Sequence, residues 1–355
     1  MKTAISPDPK RPEYLSAGEP LRKILETINE SVILIGEDLR IAASNQTSTI
    51  SFGRRGESID GRRLSEVIRD ADLHDAFRWT LEQKKPSDLR LELVSGELRK
   101  FEVHISPLEL GGRRHAIGYF RDVTQIERLE SIRQEFLSNI SHELRTPLTS
   151  ILAFVETLED GAIDDAENNR RFLGVIRRNA ERMRALISDI LELSMIESGN
   201  VTVESREIEL RPFAAEVLGD FSAKAAERQI ELVNKIPAQA RVDCDPIRLE
   251  QMFTNLIDNA IKFNREGGRV TISVEATGGR CRISVTDTGE GILPEHLDRI
   301  FERFYRADRA RTSDVGGTGL GLAIVKHLAR LHGGEVSASS ALGTGSTFTI
   351  ELPAR

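Results

Sequence analysis

Cysteine is nearly absent from this sequence: only Cys244 and Cys281 occur among 355 residues. The two lie far apart along the chain and lack the short spacing of metal-ligating cysteine pairs. This scarcity argues against a secreted fold held by disulfides and favours a reducing, intracellular compartment. We interpret both cysteines as thiols buried in a hydrophobic core.

Long apolar runs and a strong positive charge are also missing. The longest apolar stretches, near 32–35 and 151–155, are far shorter than the roughly 18 to 20 residues of a membrane-spanning helix. A net charge of −7 argues against a nucleic-acid-binding protein with a broad basic face. The absence of any Gly-Lys dipeptide excludes a P-loop nucleotide site. We therefore expect a soluble, cytoplasmic chain that does not bind nucleic acid directly.

The periodicity of apolar residues divides the chain into four territories. Residues 1–20 contain four prolines and lack the apolar core of a signal peptide, which predicts a flexible leader. Residues 21–124 combine short helical patterns with strand-like alternation, which indicates a small α+β domain. Residues 125–198 have a helical period with an interruption at 159–169, and residues 201–355 alternate strands with amphipathic helices. The predicted fold class is therefore multidomain α+β.

The helical territory predicts an antiparallel hairpin of two helices. We interpret Thr124 and Glu127 as a capping box at its start. Apolar residues then recur at helical spacing at Ile126, Leu129, Ile132, Phe136, Ile140, Phe172, Ile176, Met183, Ile187, Ile190 and Leu193. A single hairpin leaves part of this surface exposed, and a second copy would complete a four-helix bundle. The pattern therefore predicts a homodimer.

Three polar residues lie on one side of a predicted helix over residues 245–263. Asp245 as a cap and Pro246 at the first helical position are typical of a helix start. Asn255 and Asn259 are four residues apart and share a face, with Lys262 close by. Amide oxygens beside an ammonium group suit a hydrated magnesium ion and the phosphates that it bridges. Taken alone, these residues could equally be exposed polar positions.

Two glycine-containing turns follow this helix. Asp287 ends a predicted strand before Gly289 and Gly291, where a buried carboxylate could accept a hydrogen bond from an adenine amino group. The stretch GGTGLG at 316–321 precedes the helical pattern of residues 322–331, and amides at a helix N-terminus bind phosphate. Either turn alone could be a plain turn or a hinge.

A basic loop lies between the two turns. Phe301 and Phe304 could anchor it, and it carries Arg303, Arg306, Arg309 and Arg311. The loop is either a solvated surface segment or a lid that attracts an anionic nucleotide.

Taken together, these motifs resemble the ATP-binding domain of histidine kinases, which shares the Bergerat fold with gyrase and MutL. The stretches NLIDNAIKF at 255–263, DTGEGI at 287–292, FERF at 301–304 and GTGLGL at 317–322 are similar to the N, G1, F and G2 boxes of that family. The resemblance implies an α/β-sandwich domain that binds ATP and Mg²⁺, with Asn259 as the magnesium ligand and Asp287 as the adenine reader. It implies further nucleotide contacts at Asn255, Lys262, Gly289, Gly291, Gly317, Thr318, Gly319, Leu320 and Gly321.

One position separates phosphoryl transfer from hydrolysis. Gyrase-type members have a glutamate that activates water where this chain has Asn255. An amide cannot act as a general base, so water is a poor nucleophile in this site. A different nucleophile must therefore be presented to the γ-phosphate.

The first long helix contains such a nucleophile. The stretch FLSNISHELRTPL at 136–148 resembles the phosphoacceptor box of the same family, which implies His142 as the acceptor. Imidazole presents an unprotonated ring nitrogen near neutral pH, and we expect Glu143 to hold its tautomer. Pro147 lacks a backbone N–H and should bend the helix beside His142. Thr146 shares the face of His142, and the resemblance implies that it orients water when the regulator is dephosphorylated.

The first domain resembles a PAS sensor, and RDVT at 121–124 resembles the ending through which such domains continue into a helix. We interpret its larger aromatic residues as core: Phe77, Trp79, Phe101 and Tyr119. A haem ligand is an alternative to a structural role for three histidines: His74, His104 and His115. The signal could be an unknown PAS ligand, dimerisation or a partner protein.

The order of domains resembles sensor histidine kinases of the phosphate-regulon type. It implies a homodimer that autophosphorylates His142 and passes the phosphoryl group to an aspartate of a separate response regulator. Such sensors usually have membrane spans, so the chain is either a soluble relative or lacks upstream residues. Rival interpretations are a water-hydrolysing Bergerat ATPase, a serine-directed anti-sigma kinase and a catalytically silent PAS scaffold. The sequence leaves open the stimulus, the regulator and whether transfer occurs within one subunit or across the dimer.

Overall fold

The structure is a computed structural model that describes residues 18–95, 97–165, 167–199, 201–277, 279–307 and 317–353. Most of the predicted leader lies outside these ranges, as do Arg309 and Arg311 of the basic loop and Gly316 of the glycine-rich stretch 316–321. The chain divides into two compact units, residues 1–134 and residues 135–355.

The first unit is an α+β domain. Its strands are β1 (Ser31–Gly36), β2 (Ile41–Ser44), β3 (Ser87–Ser95), β4 (Glu97–Leu110) and β5 (Arg113–Asp122), and its helices are α1 (Gly18–Glu26), α2 (Gln46–Phe52), α3 (Leu64–Val67) and α4 (Ala71–Gln83). The strands form one antiparallel sheet in the order β2-β1-β5-β4-β3. This arrangement confirms the predicted α+β class for this part of the chain.

The core of the first unit lies between α4 and one face of the sheet. Phe77, Phe101 and Phe120 are at most 1% exposed. The prediction that Trp79 and Tyr119 belong to the core is wrong, because they are 44% and 38% exposed. Trp79 lies two residues, or roughly 200° around the helix, from Phe77, and Tyr119 alternates with Phe120 along its strand. Side-chain direction therefore places both aromatics on the outside.

The three histidines considered as haem ligands all bond to protein groups. A ring nitrogen of His74 lies 2.8 Å from the carbonyl oxygen of Ile68, and one of His115 lies 3.1 Å from that of Arg113. His104 lies between Asp88 and Ser106 on the exposed face of the sheet. These bonds agree with the structural role for each histidine.

Helix α5 (Thr124–Glu159) follows β5 directly. The predicted capping box is wrong, because the amide of Glu127 donates to the carbonyl of Val123 and both side chains bond elsewhere. The Thr124 hydroxyl donates to Asp122, and the Glu127 carboxylate accepts from Lys100 at 2.9 Å. The neighbouring sheet therefore supplies hydrogen-bond partners that the sequence of the helix alone does not predict.

Helices α5 and α6 (Asn168–Glu197) form the predicted hairpin, connected through a 3-10 turn at Ala162–Asp164. The rings of Phe154 and Phe172 pack 5.3 Å apart across it, and α5 continues through Pro147. Large apolar side chains nevertheless remain 45–60% exposed at Leu137, Leu148, Leu152, Leu173, Ile187, Leu191 and Met195. One hairpin thus leaves an apolar surface uncovered, as the sequence pattern predicts.

The remainder of the second unit is an α/β-sandwich. Its strands are β6 (Arg206–Glu209), β7 (Glu231–Asn234), β8 (Arg241–Cys244), β9 (Arg269–Thr277), β10 (Arg280–Asp287), β11 (Glu335–Ala341) and β12 (Gly345–Pro353). Its helices are α7 (Leu210–Asp220), α8 (Ser222–Glu227), α9 (Pro246–Lys262), α10 (Pro294–Leu297) and α11 (Gly321–Leu331). The main sheet has the order β11-β12-β10-β9-β7, with β7 parallel to β9 and the other pairs antiparallel. Helices α7, α9 and α11 pack against this sheet, which confirms the predicted architecture.

Both cysteines lie in the core of this domain, as predicted. Cys244 and Cys281 are at most 2% exposed. Burial raises the pKa of the Cys244 thiol to about 12, with nearby Asp245 adding to the effect. The thiols therefore behave as small hydrophobic side chains.

No helix within the described ranges is both long enough and apolar enough to cross a bilayer.

Candidate nucleotide site and phosphoacceptor helix

Helix α9 carries the first group of predicted site residues. Asp245 caps it, because its carboxylate accepts from the amides of Ile247 at 2.9 Å and Arg248 at 3.3 Å, and Pro246 follows at the first turn as predicted. The buried face holds Leu249, Met252, Phe253, Leu256, Ile257, Ala260 and Ile261. Burial of this face leaves the polar residues at 255, 259 and 262 half-buried on other sides of the helix.

Asn255 joins α9 to the start of α11. Its amide nitrogen donates to the carbonyl of Gln251 at 3.1 Å. Its oxygen lies so near Gly321 that a Cβ there would approach it to 2.7 Å. The N box and the G2 box are therefore in contact, as the nucleotide-site hypothesis requires.

Asp287 is a buried carboxylate at the end of β10, with 6% exposure. Its Oδ1 accepts from the amides of Gly289 at 2.8 Å and Ser346 at 3.2 Å. Burial raises the pKa of Asp287, while the two amides oppose that shift. Both bonds use one oxygen, so the other can accept from an amino group of a ligand.

The turn after Asp287 packs closely against the end of α9. A Cβ at Gly289 would lie 2.2 Å from the carbonyl oxygen of Phe263. The amide of Glu290 donates to that same oxygen at 3.2 Å. Only glycine fits at position 289, and the contact fixes the G1 box against the N box.

The G2 loop turns into α11 at Gly321. Gly319 has a φ of +71°, and its carbonyl accepts from the amide of Phe304 at 2.9 Å. The Thr318 hydroxyl accepts from the amide of Leu320 at 3.2 Å. Leu320 is fully buried and anchors the turn. The first amides of α11, which have no partner within the helix, are therefore presented beside the site.

Helix α6 supplies three acidic residues that contact this domain and that the sequence reading did not single out. Asp189 accepts from the Thr318 hydroxyl at 2.7 Å, and burial raises its pKa. Glu192 pairs with Arg248 at 3.0 Å. Glu197 pairs with Arg303 of the F box. An acid-rich helix face is ordinarily solvated, so only contacts across the fold could reveal these roles.

The phosphoacceptor candidate His142 is exposed on α5. Glu143, predicted to hold its tautomer, accepts from Arg182 of α6 at 3.2 Å. The Thr146 hydroxyl donates to the backbone carbonyl of His142 at 3.2 Å. Within the ranges that the structure describes, no hydrogen bond or ion pair joins His142 to a nucleotide box.

The structure therefore joins parts of the N, G1, F and G2 boxes by direct contacts, and Phe136 of the phosphoacceptor helix packs against Phe304 of the F box at 5.8 Å between ring centroids. Contacts join Asn255 to Gly321, Gly289 to the end of α9, and Asp287 to Gly289. Gly291 packs instead against Ala341 at the end of β11. Lys262 forms an ion pair with Asp258, one turn earlier on α9.

Three family models match the chain, one for each predicted domain. Residues 25–128 match the PAS fold, and residues 132–199 match the His Kinase A (phospho-acceptor) domain. Residues 244–355 match the histidine kinase-, DNA gyrase B-, and HSP90-like ATPase.

Among known proteins, the chain is similar to the sensor protein kinase WalK. It is 34% identical over 338 residues to WalK of Staphylococcus aureus strain Newman, which covers 94% of this chain and 55% of that protein. Another Staphylococcus aureus WalK sequence is 33% identical over 338 residues, with 80% of that protein covered. The chain thus spans little more than half the length of the former relative.

Solved structures of histidine kinases are also similar to this chain. Histidine kinase ThkA, in its complex with response regulator protein TrrA, has a TM-score of 0.53 and 26% identity, and the match covers 94% of this chain and 98% of ThkA. Histidine kinase AdeS of Acinetobacter baumannii has a TM-score of 0.51 over 60% of this chain. From the three domain matches and these relatives, we conclude that the chain belongs to the family of two-component sensor histidine kinases.

Proposed function

We propose that this chain binds Mg-ATP and transfers the γ-phosphoryl group to its own His142. The observation that carries the proposal is that buried Asp287 and its neighbour Gly289 lie at the C-terminal end of α9, while Asn255 of the same helix packs against the first turn of α11. An exposed histidine in the same compact unit provides the nucleophile.

Each residue of the pocket has a chemical task in this proposal. The free oxygen of Asp287 accepts from the adenine amino group, and the α11 amides bind phosphate oxygens. Asn259 and Asn255 offer amide oxygens on one side of α9, a donor type that suits magnesium. A magnesium ion bound there would neutralise charge on the phosphates. Lys262 adds a positive charge beside them.

Asn255 favours transfer over hydrolysis. Its amide bonds to the Gln251 carbonyl and packs against Gly321, and an amide cannot take a proton from water. The imidazole of His142 is a better nucleophile at neutral pH. Phosphoryl transfer then depends mainly on positioning, so the ATP-binding domain must move until the γ-phosphate reaches His142.

The test is incubation of the purified chain with magnesium and γ-labelled ATP. We expect a label that acid removes and base does not, and we expect it to vanish in His142→Ala. His104→Ala, at an exposed histidine of the first unit, is the matched control and should label normally. Equal labelling of His142→Ala, or hydrolysis alone, would contradict the proposal.

We further propose that phosphorylated His142 passes its phosphoryl group to an aspartate of a response regulator. Support comes from ThkA, whose solved structure contains a response regulator protein. The reaction uses ATP, so these domains belong in the cytoplasm. Glu143 and Thr146 flank His142 and are candidates for orienting water when the regulator is dephosphorylated. If Thr146→Ala retained full dephosphorylation of purified regulators, that role would be excluded.

A homodimer is the proposed assembly. The exposed apolar side chains of α5 and α6 would be covered by a second hairpin, and burial of each would contribute about 1 to 2 kcal/mol. Leu152→Glu with Leu191→Glu should therefore give a monomer in small-angle scattering at micromolar concentration. Val94→Glu, at an exposed position of β3, is the control and should remain dimeric. A wild-type monomer under these conditions would contradict the proposal.

A further inference from the structure

Two basic residues, one in α8 and one at its C-terminal cap, contact the C-terminal half of α9 and the residues that follow it. Lys224 lies within α8, and Arg228 follows it four residues later at the end of that helix. The Lys224 ammonium bonds to the carboxylate of Asp258. The Arg228 guanidinium donates to the carbonyls of Lys262 at 2.6 Å and Asn264 at 2.8 Å, and it also donates to that of Ile261. We call Lys224 and Arg228 the α8 clamp.

Arg228 is well suited to the end of a helix. The last carbonyls of α9 lack partners within the helix and carry partial negative charge. A planar guanidinium offers several N–H groups in a fixed arrangement and can satisfy more than one carbonyl at once. A lysine at this position could supply the charge but not the same geometry. The side chain thus holds the backbone over residues 261–264 in one conformation.

That backbone segment also contacts the G1 box. The Phe263 carbonyl accepts from the amide of Glu290 and lies against Gly289. Asn264, 4% exposed, accepts from the Thr288 hydroxyl at 3.2 Å and donates to the carbonyl of Arg269 at 3.1 Å. The segment that Arg228 holds is therefore the segment that sets α9 against the G1 box.

Lys224 neutralises a carboxylate of the same helix, α9. Its partner Asp258 also pairs with Lys262, one turn later on α9. The carboxylate of Asp258 thus has two ammonium partners, one from α8 and one from α9. If Lys262 leaves Asp258 for a phosphate, Lys224 remains as its partner. A half-buried carboxylate is then not left unpaired, which would be costly.

We propose that the α8 clamp positions α9 for nucleotide binding. Arg228 sets the end of α9, with Asn259 and Lys262, at the correct distance from Asp287, and Lys224 retains Asp258 when Lys262 moves onto the triphosphate. This role rests on the proposed function, because the clamp positions α9 for the proposed ATP site. In this proposal Lys224 and Arg228 do not contact the nucleotide, and each acts on it only by positioning residues of α9.

The experiment compares Arg228→Met, Arg228→Lys and Arg282→Met in the full chain. Arg282 is the matched control, because it is an exposed residue of β10 whose guanidinium forms an ion pair with Glu351 of β12. Calorimetry measures binding of Mg-ATP and, separately, of adenosine. We expect Arg228→Met to weaken Mg-ATP by about tenfold, the equivalent of one or two hydrogen bonds to a charged group. Adenosine affinity should change by less than about twofold, because Asp287 is held by β10 and Ser346.

The control should bind both ligands as the wild type does, and Arg228→Lys should fall between the wild type and Arg228→Met. The clamp is overturned if Arg228→Met binds Mg-ATP normally, or if it loses adenosine as strongly as Mg-ATP, which is the mark of general loosening. The proposed function is judged by the wild type alone. A wild-type chain that fails to bind Mg-ATP overturns both, whereas normal binding by wild type and Arg228→Met overturns only the clamp.

Lys224 has a separate test. Lys224→Met should weaken Mg-ATP binding by about threefold, because moving Lys262 then leaves Asp258 without a partner. Adding Asp258→Asn should restore binding to near the wild-type value, since no charge is then stranded. A double variant that binds no better than Lys224→Met would overturn this part of the proposal.

Discussion

At the residue scale, the close contact between the G1 box and the end of α9 requires a residue without a side chain at position 289. Gly289 lies against the Phe263 carbonyl, and a Cβ would approach that oxygen to 2.2 Å. The clash is with backbone, so no rotamer change can relieve it. Asp287 accepts from the amide of Gly289, so a shift of that amide would displace the carboxylate that we propose binds the adenine amino group.

We therefore predict that Gly289→Ala lowers ATP affinity by at least about tenfold and the free energy of unfolding by about 1 to 3 kcal/mol. Gly219→Ala is the matched control. Gly219 is exposed in α7, and a Cβ there meets nothing within 4 Å. That change should preserve binding and stabilise the domain by up to about 1 kcal/mol. Calorimetry and thermal unfolding measure both effects, and normal ATP binding by Gly289→Ala would contradict the prediction.

The sequence predicts a residue's role correctly where that role depends only on residues next to it in the chain. Asp245 and Pro246 could be recognised as a helix start because a cap needs only a side chain and the amides that follow it. Thr124 and Glu127 match the capping-box pattern equally well, yet Lys100 and Asp122 compete for their side chains. Lys100 lies 24 residues before Thr124 in the sequence, so only the folded sheet brings it near.

At the element scale, a carboxylate of α9 pairs with one lysine of α8 and one lysine of α9. Asp258 lies between Lys224 and Lys262, and these lysines lower its pKa below the ordinary value of 3.8. A carboxylate whose pKa is lower in the folded than in the unfolded state stabilises the fold above its unfolded pKa. That contribution is lost as the pH falls through the folded value.

Asp258→Asn should therefore lower the free energy of unfolding by about 1 to 2 kcal/mol at pH 7. The difference from the wild type should shrink as the pH falls from about 5 to about 3, because the wild-type carboxylate is then protonated as well. Thermal unfolding at several pH values measures it. Asp298→Asn, at an exposed aspartate, is the control and should show no comparable difference. A constant difference at all pH values would contradict this prediction.

At the scale of the whole molecule, α6 contacts the G2 loop. The Asp189 carboxylate accepts from the Thr318 hydroxyl at 2.7 Å, in the loop proposed to receive the triphosphate. Burial raises the pKa of Asp189, although Thr318 and Lys262 oppose the shift. An ionised Asp189 in this place repels a bound triphosphate.

Asp189→Ala should consequently increase ATP affinity by about threefold to tenfold, since an anionic neighbour is removed. Adenosine carries no phosphate, and its affinity should not change. Glu181→Ala, at an exposed acid on the same helix, is the control for a general change in charge. Fluorescent-nucleotide titration measures both ligands, and equal affinities of wild type and Asp189→Ala for ATP would contradict the prediction.

The sequence alone determined the features that depend on neighbours along the chain. Apolar periodicity predicts the helical hairpin and the strands, and the order of four short motifs indicates the nucleotide-binding domain, because each motif is a local arrangement of backbone and side chain. The same periodicity predicted that one hairpin leaves apolar surface exposed, but among the named positions Ile187 is exposed whereas Leu193 is fully buried.

Only the tertiary structure decided which charged side chains meet. Arg228 contacts the end of α9 from 33 to 36 residues away, and Asp189 contacts Thr318 across 129 residues. In sequence, both are ordinary charged positions on amphipathic helices. Their partners are fixed by how the helices pack against the sheet, and that packing follows from burial of the apolar faces, which carries no information about the charges opposite.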